Sequence, residues 1–379
     1  MKIVIVCDSF KESLSALQVA DAIEDGFRDI YPRATYVKLP AADGGEGTAE
    51  SLVIATGGRM QARIVTGPLG TPVEAAFGIL GDGRTAIVEM AAAAGLMLVP
   101  RDRRDPLAAT TCGVGELILA ALDSGCRHII LGLGGSATND GGAGMAQALG
   151  VSLRDDAGAD LPFGGGALAR LARIDLSGLD PRLAGCRVEV ACDVDNPLTG
   201  PLGASAIFGP QKGAMPDMVR RLDDNLALYA RAIAAATGNR VDTVPGAGAA
   251  GGMGAAALAF LGGVLRPGVD IVMDALGLDA IVADADLVIT GEGRIDGQTV
   301  HGKAPIGVAR IARRHGRPVI GIAGALGADA AAVHAHGIDA VFSVVNRPCT
   351  LEEALAEAAT NVRATSRNIA AATALLRPR

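Results

Sequence analysis

The chain has 379 residues and a formal net charge of −7 at pH 7. That charge argues against a nucleic-acid or anionic-membrane surface, because either would need a basic stripe to compensate an acidic chain. At this length two domains of ordinary size are expected. Hydrophobic residues make up 50% of the chain and aromatic residues only 3%, so the core consists of small aliphatic side chains, which is typical of helices on a parallel sheet.

Cysteines and apolar runs bear on location. The six cysteines form no CxxC pair, which fits reduced thiols and a cytoplasmic location. The run Ile3–Cys7 is too short for a secretory signal. The uncharged stretch from Val244 to Leu265 is long enough to cross a bilayer, but its glycines and Pro245 favour a glycine-rich loop that leads into a buried helix from about Met253. We expect no membrane and no nucleic-acid partner.

Short β-branched runs alternate with longer Ala/Leu-rich stretches, as in βα units. The pattern predicts strand Ile3–Cys7, helix Ser15–Arg28, strand Tyr36–Leu39, helix Thr48–Thr56, strands Arg63–Val65, Val73–Leu80 and Ala86–Met90, helix Val114–Leu122, strand His128–Leu133, helix Gly142–Leu149, strand Arg187–Cys192, helix Met218–Ala236, strand Leu287–Thr290, helix Ile306–His315, strand Pro318–Ala323, helix Asp329–His336, strand Ala340–Val345 and helix Leu351–Leu376.

The two ends of the chain share this βα rhythm, whereas an antiparallel meander over residues 63–90 interrupts it. We therefore predict an α/β fold with a doubly wound parallel-sheet domain built from both chain ends, residues 1–66 and 285–379. A second, mixed α/β domain, residues 67–284, is inserted between them.

Ligands in open α/β sheets bind beyond the carboxyl ends of the strands, so the residues that follow each strand carry the functional prediction. After the first two strands the candidate binding residues are Asp8, Ser9, Lys11, Asp43, Gly44, Gly45 and Glu46. A helix N-cap is the alternative role for Asp8 and Ser9.

A glycine-rich turn follows the strand that ends at Leu133. Its candidate ligand-binding residues are Gly134, Gly135, Ser136, Thr138, Asn139 and Asp140. Glycines let the backbone approach a phosphate, and N–H groups at a helix start can hold its charge. The turn matches neither the P-loop nor the Rossmann fingerprint, so a purely structural turn stays open.

Two further turns supply charged candidates. Asp193 and Asn196 follow the strand that ends at Cys192, where enzymes that handle nucleoside triphosphates often place a magnesium ligand or a general base. Downstream, Lys212 lies in a rigid Pro/Gly setting that a free surface lysine would not need. We expect Lys212 to contact a ligand.

The last charged turn follows the predicted strand Leu287–Thr290. Its candidate residues are Gly291, Glu292, Arg294, Asp296 and Lys303. Two carboxylates and two cations in one loop predict contacts with a ligand or a metal, with salt-bridged loop ends as the alternative. The candidate metal ligands are Asp193, Glu292 and Asp296.

These blocks, in this order and along almost the whole chain, resemble the bacterial glycerate kinases of type 1. The blocks are Ser9–Lys11, Asp43–Thr48, Gly132–Gly142, Cys192–Leu198, Phe208–Ala214, Gly248–Gly254 and Gly291–Lys303. The chain departs from that family at Gly297, where the family often has Ser.

The resemblance implies a flavodoxin-like domain beside a second α/β domain. It also implies ATP-dependent phosphorylation of D-glycerate with magnesium, usually at the 2-hydroxyl to give 2-phosphoglycerate, with 3-phosphoglycerate as the less favoured product. A homodimer is a candidate assembly.

Phosphoryl transfer needs positioning and charge neutralisation. We expect Gly134–Gly142 and Gly291–Lys303 to hold phosphates, Asp193 to position magnesium or accept the hydroxyl proton, and Lys11 or Lys212 to neutralise charge. Two other classes stay open. A dinucleotide-dependent oxidoreductase would need a GxGxxG fingerprint that the early strands lack, and a non-catalytic sugar-phosphate sensor would not need strand-end carboxylates.

Overall fold

The structure is a computed structural model that describes residues 1–42, 44–45 and 47–375. Two predicted site residues, Asp43 and Glu46, lie outside the described residues. The chain separates into two compact units. The first comprises Met1–Asp43, Ile54–Thr56 and Val269–Arg379, and the second comprises Gly44–Val53 and Gly57–Gly268.

Strands and helices alternate along most of the chain. The strands are β1 Lys2–Cys7, β2 Thr35–Pro40, β3 Arg59–Thr66, β4 Pro72–Ile79, β5 Thr85–Glu89, β6 His128–Gly132, β7 Ser152–Arg154, β8 Arg173–Asp175, β9 Arg187–Ala191, β10 Val264–Arg266, β11 Leu287–Ile295, β12 Val319–Leu326 and β13 Ala340–Ser343.

The α-helices are α1 Ala16–Arg28, α2 Thr48–Thr56, α3 Ala91–Ala94, α4 Cys112–Asp123, α5 Ala143–Ala148, α6 Ala204–Phe208, α7 Pro216–Thr237, α8 Ala249–Phe260, α9 Gly268–Ala275, α10 Leu278–Val282, α11 Ala304–Arg314, α12 Leu351–Ala356 and α13 Ala358–Leu375. Short 3₁₀ helices span Leu96–Leu98, Arg101–Arg103, Ala167–Arg170, Pro181–Gly185, Pro210–Lys212 and Ala330–His336.

The first unit contains a five-stranded parallel sheet in the order β13-β12-β11-β1-β2. Counted within the unit and from the β2 edge, this is 2-1-3-4-5, the flavodoxin-like order. Its central strands are apolar and buried, with Ile3, Ile5 and Ile289 fully enclosed. The strand order reverses between β1 and β11, which is the topological switch point where ligands bind in such sheets.

The second unit contains a six-stranded mixed sheet in the order β10-β9-β6-β5-β4-β3. Strands β5, β6, β9 and β10 are parallel, and β3 and β4 extend the sheet as antiparallel strands. Strands β7 and β8 form a separate antiparallel pair. The predicted α/β class, with one parallel sheet and a second mixed sheet, is confirmed.

Several predicted elements differ in detail. The segment Ala330–His336 is a 3₁₀ helix, because its backbone bonds span three residues, as between Ala332 N and Asp329 O at 3.0 Å. Residues Gly291–Ile295, predicted as loop, continue β11 because they pair with β12. The last predicted helix is divided at Glu357 into α12 and α13.

The limits of the two units also differ from the predicted limits near 66 and 285. Strand β3 belongs to the second unit because all of it pairs with β4. Residues after Gly268 belong to the first unit, in which α10 packs against α11.

All six cysteines are free. Within the part of the chain that the structure describes, no helix has both the length and the apolar character to span a membrane.

Candidate active site

In the first unit, the predicted residues at the carboxyl end of β1 lie at the switch point. The Asp8 backbone N–H donates to the Gly291 carbonyl of β11 at 2.9 Å. The Asp8 carboxylate accepts from the backbone N–H of Ser9 at 2.6 Å. The alternative that these residues cap α1 is wrong, since Ser15 caps that helix in a capping box with Gln18. Lys11 is exposed in the same turn.

Glu292 is the centre of a buried polar cluster in the same unit. The residue is 6% exposed. The Thr299 hydroxyl donates to Glu292 Oε1 at 2.6 Å, and Lys303 Nζ forms an ion pair with Oε2 at 3.1 Å. Burial raises the pKa of Glu292, and these two partners oppose that shift. Lys303 immediately precedes α11, so the helix start fixes the position of the cation.

Arg294 and Asp296 take a more exposed position. Arg294 Nε lies 3.0 Å from Asp296 Oδ2, and the arginine side chain is 68% exposed. Asp296 also accepts from the Gln298 backbone N–H at 2.9 Å. The predicted alternative of salt-bridged loop residues therefore describes this pair.

In the second unit, the turn after β6 encloses a buried lysine. Lys212 is 1% exposed. Its Nζ donates to Ser136 Oγ at 2.7 Å and to the Thr138 carbonyl at 2.6 Å. Both acceptors are neutral, and none of the residues described places a carboxylate within ion-pair distance of Nζ. Burial lowers the pKa of Lys212 to about 7, although the nearby Asp140 charge opposes the shift.

Asp140 is fully buried and holds this turn together. Its carboxylate accepts from the Thr111 hydroxyl at 2.8 Å, the Thr111 N–H at 2.9 Å, the Gly142 N–H at 3.1 Å and the Gly144 N–H at 3.2 Å. Burial raises its pKa, and these bonds oppose the shift. The N–H groups at the start of α5 are thus occupied by Asp140, which supports the turn from inside.

Two neighbouring side chains carry buried polar atoms that lack a hydrogen-bond partner. They are Thr138 Oγ1 and Asn139 Oδ1. Asn139 Nδ2 donates to Ser205 Oγ at 2.9 Å, which fixes the amide. Buried polar atoms without partners are uncommon, and a bound ligand or water would satisfy them.

The glycine block at the start of α8 packs against this turn. Gly251 has a left-handed φ of +71°, and a Cβ there would lie 2.1 Å from the Thr138 carbonyl oxygen. The Gly251 carbonyl accepts from the Gly141 N–H at 2.9 Å. Only glycine fits this contact, which explains one block of the resemblance structurally.

Asp193 follows β9 and is exposed. Its Oδ1 accepts from the Gly268 backbone N–H at 2.9 Å. Asn196, three residues on, donates to the Leu202 carbonyl at 2.8 Å and so stabilises its own loop. Asp193 is the more exposed of the two.

Sequence reasoning missed Glu89, the last residue of β5. Its Oε1 accepts from the Ala49 N–H at 3.0 Å. A small cavity there is lined by Gly44, Gly45, Glu89, Ala91, Gly132 and Gly134. The sequence did contain a signal for Glu89, because its carboxylate stands at the end of a buried strand, much as Asp193 follows β9. The predicted strand extended to Met90, so Glu89 was not recognised as a strand-end residue.

The predicted metal ligands Asp193, Glu292 and Asp296 remain a prediction. Residues 1–42, 44–45 and 47–375 contain no group of three His, Cys, Asp or Glu side chains arranged to hold a metal ion. Magnesium commonly uses only one or two protein carboxylates together with substrate phosphates and water. The exposed Asp193 carboxylate fits such a site.

The flavodoxin-like topology, with glycine-rich turns at the ends of the strands, places the chain among the α/β proteins with a doubly wound sheet. A family model described as the glycerate kinase family matches residues 3–374. The chain is 60% identical to a glycerate kinase of Bacillus subtilis strain 168 over 371 residues, covering 98% of this chain and 97% of that protein. It is also 60% identical to a glycerate 2-kinase of Escherichia coli K12, covering 99% and 98%.

A crystal structure of a protein from Salmonella typhimurium LT2, provisionally named glycerate kinase 2, has a TM-score of 0.92 and 62% sequence identity, covering 99% of this chain and 98% of that chain. The chain belongs to the glycerate kinase family, and the enzyme is a kinase. The alternatives of an oxidoreductase and of a non-catalytic sensor are therefore wrong.

Proposed function

We propose that the enzyme transfers a phosphoryl group from ATP to the 2-hydroxyl of D-glycerate and releases 2-phosphoglycerate. The 60% identity to the glycerate 2-kinase of Escherichia coli supports this regiochemistry over transfer to the 3-hydroxyl. A bond forms between the 2-oxygen of glycerate and the γ-phosphorus of ATP, the bond from that phosphorus to ADP breaks, and the hydroxyl proton passes to a base.

The observation that carries the proposal is the burial of Lys212 among neutral hydrogen-bond acceptors. Burying an amine among neutral acceptors is unfavourable, so a fold that does so without a carboxylate partner leaves its charge for an anion. Both reactants are anions, and phosphoryl transfer depends on neutralising their charge. Lys212 would therefore neutralise a phosphate or the glycerate carboxylate, with the unpartnered Thr138 hydroxyl beside it.

The remaining residues have proposed roles that follow from their positions. Asp193 accepts the hydroxyl proton or contributes a metal ligand, because its carboxylate is exposed at the end of β9. Glu292 and Lys303, at the switch point of the first sheet, bind and orient a reactant, with Asp8, Ser9 and Lys11 in the neighbouring turn. The backbone of Gly134 and Gly135 admits a phosphate because neither residue has a side chain.

Magnesium fits the proposal through Asp193, with Glu292 and Asp296 as further candidate carboxylates. When bound with ATP, Mg²⁺ would neutralise charge on the transferred group. The chain supplies hard oxygen donors of the kind that Mg²⁺ prefers. Full turnover after exhaustive chelation would contradict this requirement.

The reaction can be tested by measuring ADP release from ATP with D-glycerate, with L-glycerate and without acceptor. We expect release that depends on D-glycerate. The ³¹P spectrum of the product distinguishes the two esters, because phosphorus on C2 couples to one carbon-bound proton and phosphorus on C3 to two. A C3 ester would contradict the regiochemistry, and ADP release independent of glycerate would contradict the substrate.

We also propose a cytoplasmic location, because all six cysteines are free, and a homodimer, because twofold dimers are the commonest assembly of soluble oligomers. Cell fractionation and light scattering of the purified protein measure each directly. A secreted protein or a monomer at all concentrations would contradict them.

A further inference from the structure

We propose that Glu89 is a positioning residue that fastens the turn Gly44–Gly45 over the strand-end glycines Gly132 and Gly134, and that this assembly forms a binding surface for the phosphates of ATP. The inference deepens the proposed function and rests on it for the identity of the ligand. Its structural part, the fastening of the turn, concerns the free protein alone.

The first support is the register of three adjacent parallel strands in the second unit. Glu89 of β5 pairs with Gly132 of β6, which in turn pairs with Ala191 of β9. Residues in one register row of parallel strands project to the same face of the sheet. Glu89 therefore lies at the carboxyl edge of the sheet, beside Gly132, which has no side chain. Ala191 lies at the same level in β9, two residues before Asp193.

The second support is the contact with α2. The Ala49 N–H, in the first turn of that helix, donates to Glu89 Oε1 at 3.0 Å. N–H groups in the first turn of a helix have no partner within the helix, and the helix dipole favours a negative charge there. Glu89 thus links the end of β5 to the segment that follows the glycine turn.

The third support is the close approach of the turn to the strand ends. A Cβ at Gly132 would lie 3.7 Å from the Gly44 carbonyl oxygen, and a Cβ at Gly134 would lie 3.9 Å from Gly45 Cα. Gly44 has a φ of +95°, and a Cβ there would lie 2.7 Å from Gly268 Cα. Gly44 therefore needs glycine for conformation and for space, and the turn is in van der Waals contact with the strand ends.

These contacts leave little room and little side-chain surface. The cavity among the glycines and Glu89 has a volume of about 10 Å³, enough for one water molecule. Exposed backbone lined by glycine is the kind of surface that phosphates approach closely. The Gly45 carbonyl accepts from the Thr48 hydroxyl at 2.6 Å, which ties the turn to the start of α2, and Glu89 in turn holds the start of α2 through the Ala49 N–H.

The test compares Glu89→Ala, which removes the acceptor, with Glu89→Gln, which keeps an acceptor oxygen. Glu50→Ala is the matched control, because Glu50 lies in the same first turn of α2 and is exposed. For Glu89→Ala we expect amide hydrogen exchange over residues 48–51 of the free protein to quicken about tenfold, and the KM for ATP to rise about tenfold with kcat changed less than about threefold. Glu89→Gln should restore both quantities to within about threefold of wild type.

Three results would overturn the inference. Unchanged exchange in Glu89→Ala would show that Glu89 does not fasten the turn, whatever the enzyme does with ATP. A loss in kcat of about a hundredfold or more in Glu89→Gln would make Glu89 a group that acts on the reacting atoms. Faster exchange with an unchanged KM for ATP would show that the phosphates of ATP do not bind at this surface. If Glu89→Ala does not fold, Glu89→Gln against Glu50→Ala still decides between the positioning and reacting roles.

Discussion

The two units of the chain bury charge in opposite ways. In the first unit, Glu292 is paired with Lys303 and bonded to Thr299, so its charge is compensated by the protein itself. In the second unit, Lys212 is held by a hydroxyl and a carbonyl, which satisfy its hydrogens and leave its charge uncompensated. A compensated charge contributes to the stability of the fold even where it also orients a ligand, whereas an uncompensated one gains a charged partner only when a ligand binds.

The largest effect should come from removing the uncompensated charge. In Lys212→Met we expect kcat to fall about 10²–10³-fold, the scale for losing one preorganised charged donor. Lys38→Met is a matched control, because Lys38 in the first unit is ion-paired with Asp21 and Glu24, each at 2.7 Å. Steady-state kinetics with circular dichroism of both variants is the measurement. A folded Lys212→Met enzyme with the wild-type rate would make Lys212 a structural residue only.

The second largest effect is expected at the end of β9. Asp193→Asn keeps an oxygen for the Gly268 N–H but loses the charge, so it should fold normally and lose about a hundredfold in turnover. Asp195→Asn, two residues further along the same exposed loop, is the control and should retain nearly the wild-type rate. Equal rates for the two variants would leave Asp193 only a structural role, its hydrogen bond with the Gly268 N–H at the start of α9.

The pH dependence of stability tests whether the charge of Lys212 is uncompensated. Burial lowers the pKa of Lys212 from 10.5 to about 7, so between these values the unfolded chain binds more protons than the folded one. The free energy of unfolding should therefore gain, from this group, up to about 1.4 kcal/mol per pH unit as pH rises above 7. Lys212→Met lacks this contribution. Urea unfolding of both proteins from neutral to alkaline pH measures it, and a constant difference between them would contradict the uncompensated burial.

The smallest effect should be in the compensated cluster. Lys303→Met leaves the Glu292 carboxylate with Thr299 alone, so we expect a loss of about 1–2 kcal/mol in the free energy of unfolding at neutral pH. Because burial raises the pKa of Glu292 above its usual 4.5, the loss should shrink as pH falls and the carboxyl becomes protonated. Arg294→Gln, in the exposed pair with Asp296, is the control and should change stability little. A loss of unfolding free energy in Lys303→Met that does not depend on pH would show that Lys303 does not stabilise the fold through Glu292.

The sequence predicted most strands because short β-branched runs in a βα pattern rarely form anything other than strands. It could not predict that Glu292 lies inside β11, since Gly-Glu-Gly is typical of a turn and only pairing with β12 makes it a strand. The 3₁₀ helix at Ala330–His336 follows an amphipathic pattern too short to specify its hydrogen bonding.

Among the site residues, strand-end position was the informative signal. It selected Asp193 and the turn that holds Lys212, but it could not reveal that Lys212 bonds to Ser136, because 76 residues separate the two in sequence. Nor could it distinguish Asp140, which holds the turn from inside, from residues that face a ligand. That distinction depends on burial, which periodicity does not encode within a glycine-rich turn.

The pairing of β1 with β11 has a consequence for biosynthesis. Ile3 pairs with Leu287, so β1 cannot pair with β11 on the ribosome until about three quarters of the chain has been made, and the sheet is complete only after β13. The strands of the second sheet, by contrast, are all present once Arg266 has emerged. Strand β2 is made soon after β1, but the other edge of β1 stays unpaired until β11 emerges, and long-range pairing of this kind slows folding. We therefore expect the nascent chain to depend on chaperones that shield apolar N-terminal segments.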